Sequence, residues 1–181
     1  DKAMGFCYFN NVAIGARYLQ RQYGIGKVAI IDFDVHHGNG SEVAFQNDPA
    51  VLMCSFFQSP LYPYSGLNSK RQNMVNIPVP AHSNGAMIRS LVRNSWLPAL
   101  EAFRPEFIFI SAGFDAHEAD MLAQLELVEE DYAWITTELV QVAKKHAQGR
   151  MVSCLEGGYH LGALASSSLA HVQALMKAVS E

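Results

Sequence analysis

The chain has 181 residues, half of them hydrophobic (50%) and 17% charged, with a formal net charge of -4 and a pI near 6.0. Those proportions exclude a disordered polypeptide and offer no basic footprint for direct nucleic-acid binding; a chain this long suits one domain that buries roughly 70% of its unfolded surface. No apolar run is long enough to span a membrane and no signal peptide is recognisable, while Cys7, Cys54 and Cys154 form no CxxC pair and read as reduced core residues, so a reducing, cytoplasmic setting is expected.

The chain opens at Asp1-Lys2 without an initiator methionine, which reads as a processed, trimmed or partial sequence. Residues 10–23 carry Val12, Ala13, Ala16 and Leu19 on one helical stripe, ended by Gly24-Ile25-Gly26. An apolar strand over 28–34, a short helix over 41–45 and a strand over 51–56 follow. Residues 57–74 hold Pro60, Pro63, Gly66 and several Ser and Asn, and are expected as a long loop of the kind that often serves function. Ser83 is placed to cap a helix running to Trp96, with Pro98 breaking or kinking it. After a strand at Phe107–Ala112 comes the clearest helix, over 129–147. Its first turn is acidic (Glu129, Glu130, Asp131), its last basic (Lys144, Lys145, His146), and Gly149 follows. Tyr132, Ile135, Leu139 and Val142 form its buried stripe. A strand at Met151–Leu155 leads into Glu156-Gly157-Gly158-Tyr159 and a last helix over 164–179. This alternation predicts one three-layer α/β/α domain around a mainly parallel sheet, with no internal boundary.

The chemistry concentrates where strands end. Asp34 and His36 are two residues apart past the run Val28-Ala29-Ile30-Ile31, so in extended backbone they project to one side. Asp115 follows the run Phe107-Ile108-Phe109-Ile110. Were the two runs neighbouring parallel strands, all three side chains would meet at the carboxyl edge, where open α/β sheets bind ligands. Two carboxylates and one imidazole make a three-ligand site with an open position, the layout of a catalytic metal centre. Zinc, iron(II) or manganese suits such donors, and a purely sulfur-type site is excluded. A lone Asp-x-His is equally an N-cap or a satisfied polar pair; Gly38 and Gly40, suited to a tight turn, and the second strand ending in Asp115 favour the metal.

Tyr159 ends another strand at the same edge after two glycines. Its phenol is placed to donate a hydrogen bond to an oxyanion, although alone it would read as a rim tyrosine. Gly5-Phe6 and the loop Pro60-Leu61-Tyr62-Pro63-Tyr64 are candidates for aromatic walls of a narrow channel. Asp32 falls on the side of Asp34 and needs a charge partner. His146 and His171 read as structural, His37 as turned away from the metal, and His117 and His160 as near the solvent rim without an orienting carboxylate. Gly38-Asn39-Gly40 and Gly157-Gly158 complete no phosphate-binding fingerprint.

The segments Gly5-Phe6-Cys7-Tyr8-Phe9-Asn10-Asn11, Asp32-Phe33-Asp34-Val35-His36-His37-Gly38-Asn39-Gly40, Ser111-Ala112-Gly113-Phe114-Asp115-Ala116-His117 and Glu156-Gly157-Gly158-Tyr159 resemble, in order, the motifs of the zinc-dependent histone deacetylase and acetylpolyamine amidohydrolase superfamily. Asn39 and the Glu-Gly-Gly-Tyr form are similar to its class II and bacterial branch. The resemblance implies an arginase-like α/β fold and removal of acyl groups from acyl-lysine or acetylpolyamine. It implies zinc on Asp34, His36 and Asp115, with Tyr159 as the catalytic oxyanion donor. Phe6, Tyr62 and Gly158 would border the substrate channel, with the Gly5 carbonyl near the substrate amide. The related arginases hold two manganese ions through Asp-x-His-x-Asp; Gly38 stands in place of the last Asp, so one catalytic metal is implied.

The resemblance also implies structural potassium. One ion would involve Asp32, Ser55 and backbone carbonyls of Asp34, His36 and Phe56; a second would lie near Phe45 and Val51. The family's tandem His-His pair, one member of which is the general base, belongs upstream of Asp1, so a fragment or a natural truncation lacking the N-terminal strands is expected. Two outcomes follow: a zinc-dependent amidohydrolase, or a catalytically inactive metal-binding domain without its base. The unpaired sheet edge left by missing strands predicts homo-oligomerisation or poor solubility.

Overall fold

A computed structural model describes residues 2–68 and 71–177. Its sheet comprises β1 (Val28–Asp32), β2 (Val51–Gln58), β3 (Met74–Val79), β4 (Phe107–Ala112) and β5 (Met151–Leu155). All neighbours are parallel and the order is β3-β2-β1-β4-β5. The helices are α1 (Asn11–Tyr23), α2 (Asn39–Phe45), α3 (Gly85–Leu91), α4 (Leu97–Phe103), α5 (Glu129–His146) and α6 (Leu161–Lys177). The predicted positions 178 and 179 of the last helix lie outside the described residues.

Alternation along β1 assigns its side chains to two cores. Val28 and Ile30 join Val12, Ala13 and Ala16 of α1, with Met53 and Phe109, on one face. Ala29 and Ile31 join Trp96, Tyr132, Ile135 and Leu139 on the other. Both faces of the central strand are therefore covered, and every β1 residue is buried. The chain runs outward from β1 to β2 and β3, then returns to lay β4 on the other side of β1. The switch point between β1 and β4 is where such sheets bind ligands.

Several expectations shift. β3 falls where no strand was foreseen; Pro78 sits within it, tolerated because the strand is at the sheet edge. Asn84, not Ser83, caps α3, its Oδ1 accepting the Met87 N–H at 3.1 Å, while Ser83 Oγ donates to the Pro80 carbonyl. Pro98 does not end that helix. The π-helical turn Val92–Trp96 carries it into α4, of which Pro98 is the second residue. β1 stops at Asp32, two residues early, and α6 starts at Leu161, three residues early. Cys54 is buried, but Cys7 is exposed on the turn that joins Met4 to Cys7 and is no core residue. Among the described residues β5 pairs on one side only, with Val152 and Leu155 exposed.

Candidate metal centre

Parallel register sets the level at which each strand releases its chain. Asp32 of β1 pairs with Ser111 of β4, so Asp34 and Asp115 leave the sheet side by side. Beyond β1 the backbone bends, and Asp34 Oδ1 accepts the His36 N–H at 2.8 Å, a side-chain turn of the kind aspartate favours. This turn, and not strand alternation, brings His36 back toward Asp34. The His36 Nδ1 lies 3.0 Å from Asp34 Oδ1 and 3.1 Å from Asp115 Oδ2. One donor atom from each of the three residues falls within 4.8 Å of the others.

The remaining carboxylate oxygens are held by backbone. Asp115 Oδ1 accepts the Val35 N–H and Asp34 Oδ2 accepts the Gly157 N–H, both at 2.9 Å. Gly113 and Gly157 make these approaches possible. A Cβ on Gly157 would stand 2.2 Å from Asp115 Oδ2, and one on Gly113 would stand 2.3 Å from Asp34 Oδ2. Burial, then the Asp34 charge, pushes Asp115 up to about 6. Burial works against a charged His36, but hydrogen bonds to Asp115 and Asp34 outweigh it and lift the imidazole to about 10. A proton on His36 thus bridges two acids. The donor set, its convergence and its positive bridge all fit a divalent cation.

Tyr159 stands at the end of the turn after β5, 42% exposed, with the Phe6 ring edge-on at a centroid distance of 6.1 Å. Burial, then Asp115 and Asp34, pushes its phenol up to about 12, so it remains a donor. Tyr62 lies edge-on to His36 at 6.2 Å and its hydroxyl accepts the Gly5 N–H at 3.2 Å. Gly5, Phe6, Tyr62, Asp34, His36 and Tyr159 line one cleft of about 1350 Å³. At Gly158, expected in the channel, the backbone has φ +134° and an added Cβ would meet Leu164 and Phe114.

A family model for the histone deacetylase domain matches residues 1–175. The chain belongs to the histone deacetylase family. It is 40% identical over 179 residues to histone deacetylase 14, chloroplastic, of Arabidopsis thaliana, covering 96% of this chain and 42% of that protein. It is 36% identical over 167 residues to the histone deacetylase-like amidohydrolase of Pseudomonas aeruginosa, covering 88% and 44%. The crystal structure of the HDA15 HD domain superposes with a TM-score of 0.87 at 34% identity, covering 96% of this chain and 52% of that one. The chain thus spans about half the length of the deacetylase relatives it matches.

Within this histone deacetylase domain the other expected residues are placed as follows. Asp32 borders the same cleft; burial, then Asp34 and Glu156, holds its carboxyl well above the usual range, and it accepts the Asp34 N–H at 3.1 Å. Ser55 is buried and its hydroxyl donates to the Phe56 carbonyl. The carbonyls of Phe45 and Val51 do converge, together with that of Asp48, but on the Asn73 side-chain amide, which donates to all three at 2.9, 2.9 and 3.0 Å. His37 turns away from the centre, with Ser65 Oγ at 2.8 Å on Nδ1 and Glu42 Oε2 at 2.6 Å on Nε2. His117 is buried and faces Glu129 at 3.5 Å, contrary to the rim position expected of it. His160 is exposed.

Two residues were given no role from the sequence, although Glu156 stands in the Glu156-Gly157-Gly158-Tyr159 segment. Glu156, raised by burial and by Asp34, borders the cleft. Asp120 accepts the N–H groups of Tyr159 and His160. Neither carries a spacing signal, since what they meet lies far away in the chain.

Proposed function

We propose that this chain carries the metal-binding core of a zinc-dependent amidohydrolase that removes acetyl or similar acyl groups from lysine side chains or polyamines. The observation that supports this reading is the convergence of Asp34, His36 and Asp115 beneath a phenol that stays protonated. When bound, zinc would supply a Lewis acid for the amide carbonyl and acidify a water molecule. Asp34, His36 and Asp115 would hold it, kept in place by the Val35 and Gly157 N–H groups. Tyr159 donates a hydrogen bond to the carbonyl oxygen as negative charge grows there. The Phe6 and Tyr62 rings pack along the apolar stem of an acyl-lysine and exclude water. Three unpaired thiols suit a reducing compartment, such as the cytoplasm, and no helix among the described residues is long and apolar enough to cross a membrane.

A second reading has its own support: of the histidines, His36 and His37 line the cleft, and both ring nitrogens of His37 are already engaged. In that reading this chain binds metal without turning substrate over. The one-sided edge of β5 favours self-association of the isolated chain. Assaying acetyl-lysine and acetylpolyamine reporters with this chain and with the full-length protein separates the readings. Chelator-sensitive hydrolysis by the chain alone would defeat the second. In the full-length protein, Tyr159→Phe is expected to lower the rate by about 10²–10³. An unchanged rate would remove Tyr159 from the mechanism.

A further inference from the structure

Asp120 has no part in the metal centre, yet it is 5% exposed and both carboxylate oxygens are engaged. Its Oδ2 accepts the Tyr159 N–H at 2.7 Å and the His160 N–H at 3.1 Å. Its Oδ1 accepts the Leu122 N–H at 3.0 Å. Every hydrogen bond of this carboxylate among the described residues goes to backbone. A buried acid so used fixes the chain path.

The path it fixes is the turn that presents Tyr159. The front of that turn is anchored at the metal centre: Gly157 N–H donates to Asp34 Oδ2 at 2.9 Å, and its carbonyl accepts the Phe114 N–H at 2.8 Å. Gly158 follows at φ +134°, a conformation other residues rarely adopt. Behind it, only the Asp120 carboxylate holds the N–H of Tyr159. The phenol itself is half-exposed, with the Phe6 ring edge-on beside it and no hydrogen bond of its hydroxyl among the described residues, so its position is set chiefly by where its backbone is pinned. Asp120 is in turn rigidly placed five residues after Asp115. Its own N–H donates to the His117 carbonyl at 2.9 Å, and the loop is tied to the segment before α5 through Glu118 and Leu127.

We infer that Asp120 is a positioning residue for catalysis, which sets the Tyr159 phenol over the Asp34–His36–Asp115 centre by clamping the turn that carries it. The inference rests on the deacetylase reading of Tyr159 and adds the group through which that residue is aimed. One loop then carries a metal carboxylate at its start and the aim of the oxyanion donor at its end. The plainer role, a carboxylate at the N-terminal end of α6, predicts loss of stability alone.

A double-mutant cycle in the full-length protein separates the two roles. Asp120→Ala is expected to lower kcat on an acetyl-lysine reporter by about 100-fold, the cost of a displacement near 1 Å, with KM changed by less than about threefold. In the Tyr159→Phe background the same change is expected to alter kcat by less than about threefold, since nothing is left to aim. Asp120→Asn keeps an acceptor for Tyr159 and His160 but turns a donor toward Leu122, so it is expected to recover kcat to within about tenfold of wild type. It also serves the cycle if the alanine variant does not fold. Amide hydrogen exchange at Tyr159 and His160 should accelerate in Asp120→Ala. Equal kcat losses in both backgrounds would overturn the clamp while leaving Tyr159 in place. A Tyr159→Phe protein with unchanged kcat would refute the reading of Tyr159 and this inference together.

Discussion

Gly157→Ala tests the proposed metal centre without replacing a proposed ligand. The added Cβ would stand 2.2 Å from Asp115 Oδ2 and 2.6 Å from Asp34 Oδ2, where ordinary contact begins at 3.4 Å. The carboxylates must therefore retreat by about 0.8–1.2 Å, a shift of the size that costs about 100-fold where geometry must hold. Neither is free to go. Asp115 is fully buried with Oδ1 on the Val35 N–H, and Asp34 Oδ2 is held by the N–H of Gly157 itself. The expected result is a zinc Kd weakened about 10–100-fold, as for the loss of a group that supports metal ligands. That corresponds to about 1.4–2.7 kcal/mol of binding free energy. Zinc titration against a chromophoric chelator measures it, with circular dichroism to show that the variant is folded. A folded Gly157→Ala protein binding zinc within about twofold of wild type would refute the ligand assignment, because the crowding acts on two of the three ligands at once.

Two further outcomes concern the scaffold. His171 is 3% exposed, lies 2.6 Å from Thr136 Oγ1 and 2.9 Å from Ser153 Oγ, and is pulled down by burial to about 4. The unfolded imidazole takes up a proton near 6.5 while the folded one stays neutral. Stability is thus full above pH 6.5 and declines as the pH falls toward 4, by about 3 kcal/mol in total. Urea unfolding between pH 7.5 and 4.5 should show this slope flattened in His171→Gln; parallel slopes would sink the assignment. Trp96 is fully buried and stacked on Phe56 at 5.6 Å and 14°, so Trp96→Ala is expected to cost about 3–5 kcal/mol in denaturant unfolding. A loss under about 1 kcal/mol would mean that this face of the sheet is not packed as described.

The parts of the fold that the sequence revealed are those written in short-range pattern. Val28 to Ile31 and Phe107 to Ile110 read as strands because they are apolar throughout, as strands covered on both faces must be. Asp34 and Asp115 then followed from their offsets past those strands, whereas His36 reaches Asp34 through a side-chain turn and not through the extended backbone expected. The Glu129-Glu130-Asp131 start and Lys144-Lys145-His146 end of α5 were equally plain. β3 was hidden because Asn76 and Pro78 break its apolar run, and only its edge position makes them acceptable. The passage through Pro98 was hidden because a π turn depends on how Val92 and Trp96 pack. Asp120 was hidden for a third reason: its partners are N–H groups 39 and 40 residues away, and backbone leaves no signature in side-chain sequence.

The parallel sheet explains why segments so far apart in the chain meet at one edge. β2, β1, β4 and β5 run parallel in adjacent register, so the residues that follow them emerge at one edge. β1 contributes Asp34 and His36, β4 contributes Asp115, β5 contributes Tyr159, and the loop after β2 contributes Tyr62. Packing alone gives no reason for what is found there. Burial, then the charge of Asp34, pushes Asp32, Asp115 and Glu156 upward together, which is a standing cost to the fold. Backbone N–H groups and the His36 proton relieve part of that cost. A divalent cation held by Asp34, His36 and Asp115 would relieve more, which would account for a sheet that gathers acids where an apolar edge would be more stable.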